Sequence, residues 1–382
     1  MNPNPLRLLG SVLAVSLAVV ACSSDESPDP AVDAALSDGP IPSDAADASD
    51  AADAAETSDA PDVEGADGSD AHVDVLVDVE QDVPSEETGR GVSAWVYENR
   101  STWTDAMNAY NLAVPSDQGL DSLFPYVGGV SFGGAAYGTE AIWFDEDVVA
   151  YHAAALPGAR MLPIFDSGDG EIFALWSDAD QRLFAADVAD LMMGIAGVAG
   201  AHVDIEPFRV AHLPFYDELG ERLRAQGKVL TVFTGASAGD IYGLADVVVL
   251  SGYDLGIDPV TPTEYGQVLG NLVGAALHSA QNAGVGLLVG VPIAASWEQY
   301  ENQSGTCDHD TGFSQEEWFQ AALGAVCPHR EHPHYLGLSL WGFYGDALEI
   351  PRGSGCYRHP GGVSQANWDT LIAWAKDGCD SP

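Results

Sequence analysis

From Val92 onward, short apolar runs alternate with longer stretches in which apolar residues recur every three or four positions. The runs Val92 to Tyr97, Val127 to Phe132, Met161 to Phe165, His202 to Glu206, Val229 to Phe233, Val247 to Tyr253, Gly286 to Val291 and Tyr335 to Trp341 predict strands. Several are nearly continuous in Val, Leu and Ile, the pattern of parallel strands covered on both faces. Helical periodicity is clearest at Asp180 to Ala196, Leu213 to Gln226, Pro262 to Ala283, Gln315 to Ala325 and Ser364 to Lys376. Eight strand and helix units over about 290 residues predict a (β/α)8 TIM barrel, which typically takes about 250 residues plus loop insertions. A doubly wound open sheet is the alternative, but neither GxGxxG nor a P-loop follows the first strand.

In the fourth strand, His202, Asp204 and Glu206 stand at alternate positions and share one face, while Val203 and Ile205 face the other way. Acids on an inward face are costly unless paired, hydrogen-bonded or functional. In a barrel, reactive residues belong at the carboxyl ends of the strands. Those ends carry Tyr97 and Glu98, Asp166, Asp204 and Glu206, Tyr253 and Asp254, Trp297 and Glu298, and Trp341, Tyr344 and Asp346. Each has a plainer reading: Tyr253 and Trp341 as barrel filling, His202 as a satisfied core histidine. Collected at one end of the cylinder, they favour a site.

The chain before the barrel is of another kind. After Arg7 an apolar run from Leu8 to Val20 closes on Val19-Val20-Ala21-Cys22, too short for a comfortable membrane span and arranged like an export signal, residues 1–21. The Val-Val-Ala-Cys end resembles a bacterial lipobox, implying cleavage before Cys22 and lipid attachment there. Ser23 after the cysteine points to the outer membrane, so the expected location is the cell envelope, held by an N-terminal lipid only. Residues 22–88 are rich in Asp, Ala, Ser and Pro, with no Lys or Arg between Ser23 and Glu87. Such a segment cannot offset its chain entropy by burial, so it reads as a disordered acidic linker tethering the barrel domain, residues 89–382.

With 58 acids against 13 Lys and Arg, the net charge of -45 excludes nucleic-acid binding. A monomer is expected. Four cysteines follow the tether, and no metal-finger spacing appears among them. The barrel layout puts Cys307 and Cys356 in the loops after strands seven and eight, and Cys327 and Cys379 after helices returning to the opposite face. Disulfides Cys307 with Cys356 and Cys327 with Cys379 are therefore predicted. His202, Asp204 and Glu206 could in principle hold a metal, but no second ligand cluster accompanies them, and neither metal nor cofactor is expected. His329, His332 and His334 precede the eighth strand on the opposite face and read as a solvated loop.

At this point the chain resembles glycoside hydrolase family 18, the chitinase and endo-β-N-acetylglucosaminidase family. The family's strand-four motif, Asp-Gly-x-Asp-x-Asp-x-Glu, is met by Ala199-Gly200-Ala201-His202-Val203-Asp204-Ile205-Glu206, in which the Gly, the last Asp and the Glu agree. Tyr253-Asp254, Trp341 and Gly290-Val291-Pro292 match its motifs on strands six, eight and seven. Ser131-Phe132-Gly133-Gly134 matches its strand-three motif one strand early. Ala199 and His202 depart from the pattern, and His202 replaces an Asp that exchanges a proton with the orienting Asp.

The resemblance implies cleavage of β-linked N-acetylhexosamine polymers or glycans in which the substrate's own 2-acetamido oxygen is the nucleophile. Glu206 is implied as general acid and base, Asp204 as the group orienting the acetamido, and Tyr253 as its hydrogen-bonding partner. Trp341 is implied as the floor of the sugar site and Asp254 as a substrate contact, with His202, Tyr97, Asp166 and Glu298 as further candidates in the cleft. Burial and Asp204 are expected to keep Glu206 protonated near neutrality, and His202 to hydrogen-bond Asp204 or fill the core. Two other readings stand beside this one. One is a barrel that has lost turnover and binds carbohydrate, motivated by Ala199 and His202. The other is a glycosidase using Asp166 or Glu298 as a conventional second carboxylate.

Overall fold

The computed structural model describes residues 91–96, 101–235, 239–253, 255, 261–293, 313–341 and 365–380. Of the residues singled out above, Cys22, Tyr97, Glu98, Asp254, Trp297, Glu298, Cys307, Tyr344, Asp346 and Cys356 lie outside them.

Ten strands form one sheet: β1 (Val92–Val96), β2 (Leu120–Phe132), β3 (Glu140–Phe144), β4 (Arg160–Met161), β5 (Ile164–Ser167), β6 (Gly200–Ile205), β7 (Val229–Thr234), β8 (Val247–Ser251), β9 (Gly286–Pro292) and β10 (Tyr335–Trp341). Parallel pairing runs β1-β10-β9-β8-β7-β6-β5-β2, and β2 returns to β1. The sheet closes, and the fold is a (β/α)8 barrel.

Two departures from the sequence expectation lie next to each other. The third barrel strand is broken, because Leu162 and Pro163 interrupt it between β4 and β5; both pieces pair with β2, and Pro163 has no N–H to give to a ladder. The second strand runs seven residues earlier than expected and then doubles back through β3, which pairs antiparallel with it from Gly128↔Phe144 to Phe132↔Glu140. β3 lies outside the eight-strand circuit, so the barrel closes without it.

The helices are α1 (Ser101–Ala113), α2 (Asp147–Ala155), α3 (Gly170–Phe173), α4 (Asp178–Met193), α5 (Leu213–Arg224), α6 (Pro262–Ala283), α7 (Gln315–Val326) and α8 (Gln365–Asp377). Their starts follow from local chemistry. Ser177 accepts the Asp180 N–H at the head of α4, Thr261 accepts the Glu264 N–H ahead of Pro262 in α6, and Ser314 with Glu317 forms a capping box on α7. Between β7 and β8 the described chain has only a 3-10 turn, Gly239–Gly243.

Alternation divides the core in two. Val92, Ala94, Val203, Ile205, Val248 and Leu250 face the helices and join the large outer core. Trp95, Phe124, Ile164, Phe233, Val249 and Leu288 fill the cylinder itself. Burying each such side chain is worth roughly 1.5–3 kcal/mol relative to leaving it exposed. At the opposite end of the barrel from the site, Cys327 and Cys379 form a disulfide with Cα atoms 5.5 Å apart, the pairing expected from the layout. The histidines there are not simply solvated: His329 Nε2 bonds the Gly270 carbonyl at 3.2 Å and His334 Nδ1 the Val285 carbonyl at 2.8 Å.

Candidate active site

The inward face of β6 carries His202 and Asp204, with Glu206 one residue beyond the end of the strand. His202 lies within the cylinder, 0% exposed, with its ring stacked on Phe124 at 4.4 Å. The indole Nε1 of Trp95 donates to its Nε2 at 3.1 Å, so that nitrogen carries a lone pair. Its Nδ1 therefore holds the hydrogen and donates to Thr231 Oγ1 at 2.9 Å, and Thr231 passes its own hydrogen to the Ala201 carbonyl at 3.1 Å. Burial pushes the His202 imidazole down to about 3, so it is neutral at ordinary pH. Both ring nitrogens are thus committed within the core. His202 is neither a substrate contact nor the hydrogen-bonding partner of Asp204, and it cannot join a metal site with the two acids above it.

One layer higher, the acids meet. Asp204 pairs in register with Asp166 of β5, which puts two inward carboxylates on adjacent strands. Asp204 is half-buried, and its Oδ1 is wholly buried with no hydrogen-bond partner. Desolvation, then the charges of Glu206 and Asp166, raise its carboxyl well above the ordinary range. Burial also raises Asp166 to about 6, opposed by a hydrogen bond from Tyr126 and reinforced by Glu206. Glu206 itself is exposed, so the desolvation expected to act on it falls on Asp204 and Asp166 instead.

The backbone of Glu206 is held from the β5–α3 connection. Its N–H donates to the Ser167 carbonyl at 2.7 Å, and its carbonyl accepts from Gly170 N–H at 2.9 Å. A Cβ on Gly170 would collide with the Pro207 carbonyl, so the loop can approach this closely only as glycine. Ser131 Oγ donates to Asp169 Oδ2 at 2.9 Å, and the Phe132 N–H reaches the same oxygen at 3.1 Å. The Ser-x-Gly-Gly stretch at the end of the second strand thus braces the β5–α3 connection, which in turn holds the backbone of Glu206. Three residues after Glu206, Arg209 is engaged by Glu171.

The rim opposite is aromatic. Tyr253 and Trp341 stack at 4.5 Å, and Tyr253 lies over Phe233 at 6.0 Å, so one face of Trp341 is covered by Tyr253. On the near side, Tyr126 of β2 donates to Asp166 Oδ1 at 3.4 Å and accepts from the Trp143 indole at 3.3 Å. Behind the site Tyr216 of α5 is fully buried, and its hydroxyl is raised by burial and by the charges of Asp204 and Glu206.

The structure therefore brings Asp166, Asp204 and Glu206 within electrostatic reach of one another and puts Tyr253 and Trp341 on the same barrel mouth. Tyr126, Trp143 and Tyr216 are the neighbours that sequence reasoning missed. Trp143 was legible from the β-rich run Glu140 to Phe144 after Gly138, whereas Tyr126 falls one residue before the predicted second strand, next to Pro125. Among the described residues, no group of three or more His, Cys, Asp or Glu is arranged to hold a metal ion. The arrangement offers neighbouring carboxylates of different acidity at the carboxyl ends of the strands, the requirement for moving a proton to and from a bound molecule.

No family model and no curated protein matches the sequence. Among solved structures, the chain is similar to a chitinase from Chromobacterium violaceum at 15% identity, covering 74% of this chain and 98% of that one with a TM-score of 0.45. It is also similar to a GH18 chitinase from the chitin utilization locus of Flavobacterium johnsoniae, at 12% identity, 75% and 94% coverage and a TM-score of 0.44. A third is the spore cortex-lytic enzyme of Bacillus megaterium, at 12% identity, 74% and 73% coverage and a TM-score of 0.45. The barrel architecture itself rests on the strand pairing described above.

Proposed function

We propose that this chain is a glycoside hydrolase of the family 18 type, cleaving β-linked N-acetylhexosamine polymers or glycans by substrate-assisted, retaining catalysis. The reading is carried by one observation: Asp204 and Glu206 stand two residues apart at the carboxyl end of the fourth barrel strand, with Tyr253 and Trp341 on the same rim. Glu206 protonates the glycosidic oxygen and then serves as base toward water. Asp204 orients the 2-acetamido group, whose carbonyl oxygen attacks the anomeric carbon in place of a protein carboxylate. The raised pKa of Asp204, which keeps its carboxyl protonated, suits a group that donates a hydrogen bond while positioning the acetamido and takes up charge as it reacts.

A second reading is favoured by Asp166, which is raised to about 6 and is the register partner of Asp204. There Asp166 supplies the second carboxylate of a conventional glycosidase, which needs no acetamido group on the substrate. Chromogenic chitooligosaccharides and their glucose counterparts, each tested with wild type and Glu206→Gln, separate the possibilities. Substrate-assisted hydrolysis predicts turnover of the acetamido series alone and a loss of about 10²- to 10⁴-fold in Glu206→Gln with sugar binding retained. Turnover of both series favours Asp166. Binding without turnover in either protein makes the chain a carbohydrate-binding barrel.

The location is proposed from the sequence: export, lipid attachment at Cys22 and a tether of residues 22–88 holding the barrel off the envelope. Metabolic labelling with a fatty-acid analogue, lost in Cys22→Ala, tests it.

A further inference from the structure

The β2–β3 hairpin is an addition to the barrel, and its base, away from the turn, carries an aromatic ring beside the acids. Trp143 is 47% exposed, although a large aromatic side chain is favoured by burial. It is nevertheless held in place. Its indole N–H donates to Tyr126, whose hydroxyl in turn donates to Asp166. Its backbone pairs with Gly129 across the hairpin. A Cβ on Gly129 would collide with Asp166 Oδ1 and lie 2.6 Å from Trp143 Cζ2, so the carboxylate and the indole meet over the same bare Cα. The barrel circuit closes without β3, so closure does not require the ring.

We infer that Trp143 and Asp166 form a sugar subsite on the β2–β3 side of the mouth, binding one neutral pyranose unit of a chain that continues to Glu206. Pyranoses carry an apolar C–H face and a rim of hydroxyls. The exposed indole matches the first and the Asp166 carboxylate accepts from the second. The surrounding Asp166, Glu206, Asp169 and Glu171, with Arg209 engaged by Glu171, repel uronic-acid polymers and leave neutral glycans as the class that fits. The subsite deepens the proposed function, since its ligand is another unit of the same substrate, and it requires a substrate longer than one sugar.

The test is binding, which does not depend on turnover. Full-length wild type, Trp143→Ala, Trp143→Phe and the hairpin control Ile142→Ala are titrated with chitotetraose and cellotetraose by calorimetry and tryptophan fluorescence. Thermal melts establish that each variant folds. Trp143→Ala is expected to weaken tetrasaccharide binding by about tenfold, with Trp143→Phe and Ile142→Ala within about threefold of wild type. The ligand-induced fluorescence change of wild type shrinks in Trp143→Phe. Should Trp143→Ala not fold, the fluorescence change in Trp143→Phe decides alone. Equal affinity in wild type and Trp143→Ala, an undiminished fluorescence change in Trp143→Phe, or no binding of either sugar by wild type overturns the subsite. Hydrolysis is read in parallel: Trp143-dependent binding without turnover keeps the subsite and removes the hydrolase. Turnover with Trp143-independent binding does the reverse.

Discussion

His202 and Asp204 are two residues apart on the same strand and the same face, yet the layers they occupy obey opposite rules. Around His202, β1, β2 and β7 supply Trp95, Phe124 and Thr231, and every polar atom of the imidazole has a partner. Around Asp204, β5 supplies another acid, the loop beyond β6 supplies a third, and one carboxylate oxygen is buried unmet. The lower layer stabilises the barrel, while the upper one opposes folding and holds carboxyl groups with raised pKa values. Satisfying a polar group makes it structural; leaving acids crowded and partly dry keeps them reactive.

The largest expected effect breaks the lower layer. His202→Ala removes a stacked ring and leaves the Trp95 indole N–H without its acceptor, so denaturant unfolding at pH 7 should show a loss of about 4 kcal/mol. A loss under about 1 kcal/mol would mean that His202 is not the keystone of a closed network. Asp204→Asn should act in the other direction, raising stability by about 1–2 kcal/mol at neutral pH while abolishing activity, because the folded state no longer holds an acid away from ionisation.

The two layers also predict opposite pH slopes. His202 is lowered from 6.5 to about 3 on folding, so between those values the unfolded chain binds more protons, and this contribution is lost as pH falls. Asp166 and Asp204 are raised from 3.8, so above that value the folded chain binds more protons, and their contribution is lost as pH rises, for Asp166 through about 6. Stability curves of His202→Gln should retain only the falling slope, and those of Asp204→Asn mainly the rising one. If both variants keep the wild-type curve, neither group is coupled to folding as described.

A smaller effect sharpens the upper layer. Asp166→Asn removes a like charge from Asp204, so the limb of the pH–activity profile reporting the pair should move to lower pH, by up to about one unit. The smallest comes from Tyr126→Phe. The 3.4 Å hydrogen bond to Asp166 is long, so stability should change by less than about 1 kcal/mol, while Asp166 ionises at slightly higher pH without the donor. A shift to lower pH would reverse the assignment of Tyr126 as donor to the charged form.

Seven of the eight barrel strands both begin and end within two residues of their sequence-based limits, because parallel strands covered on both faces must be apolar throughout and the run is visible in the chain itself. The early start of β2 was hidden by Pro125, a residue that argues against a strand when read locally. Alternation alone put His202, Asp204 and Glu206 in line, and the barrel layout, with its returning helices, set Cys327 with Cys379.

The sequence by itself therefore determined the barrel, the end at which chemistry-bearing residues gather, and which side chains of each strand share a face, since these depend only on the two-residue period of a strand. Tertiary structure decided what each of those residues has for neighbours: Trp95 and Thr231 for His202, Asp166 for Asp204, the Ser167 and Gly170 backbone for that of Glu206, and the Gly129 Cα beneath Trp143. Ionisation and hydrogen bonding are set by groups a few ångströms away across strands distant in the chain, and no local periodicity encodes that proximity.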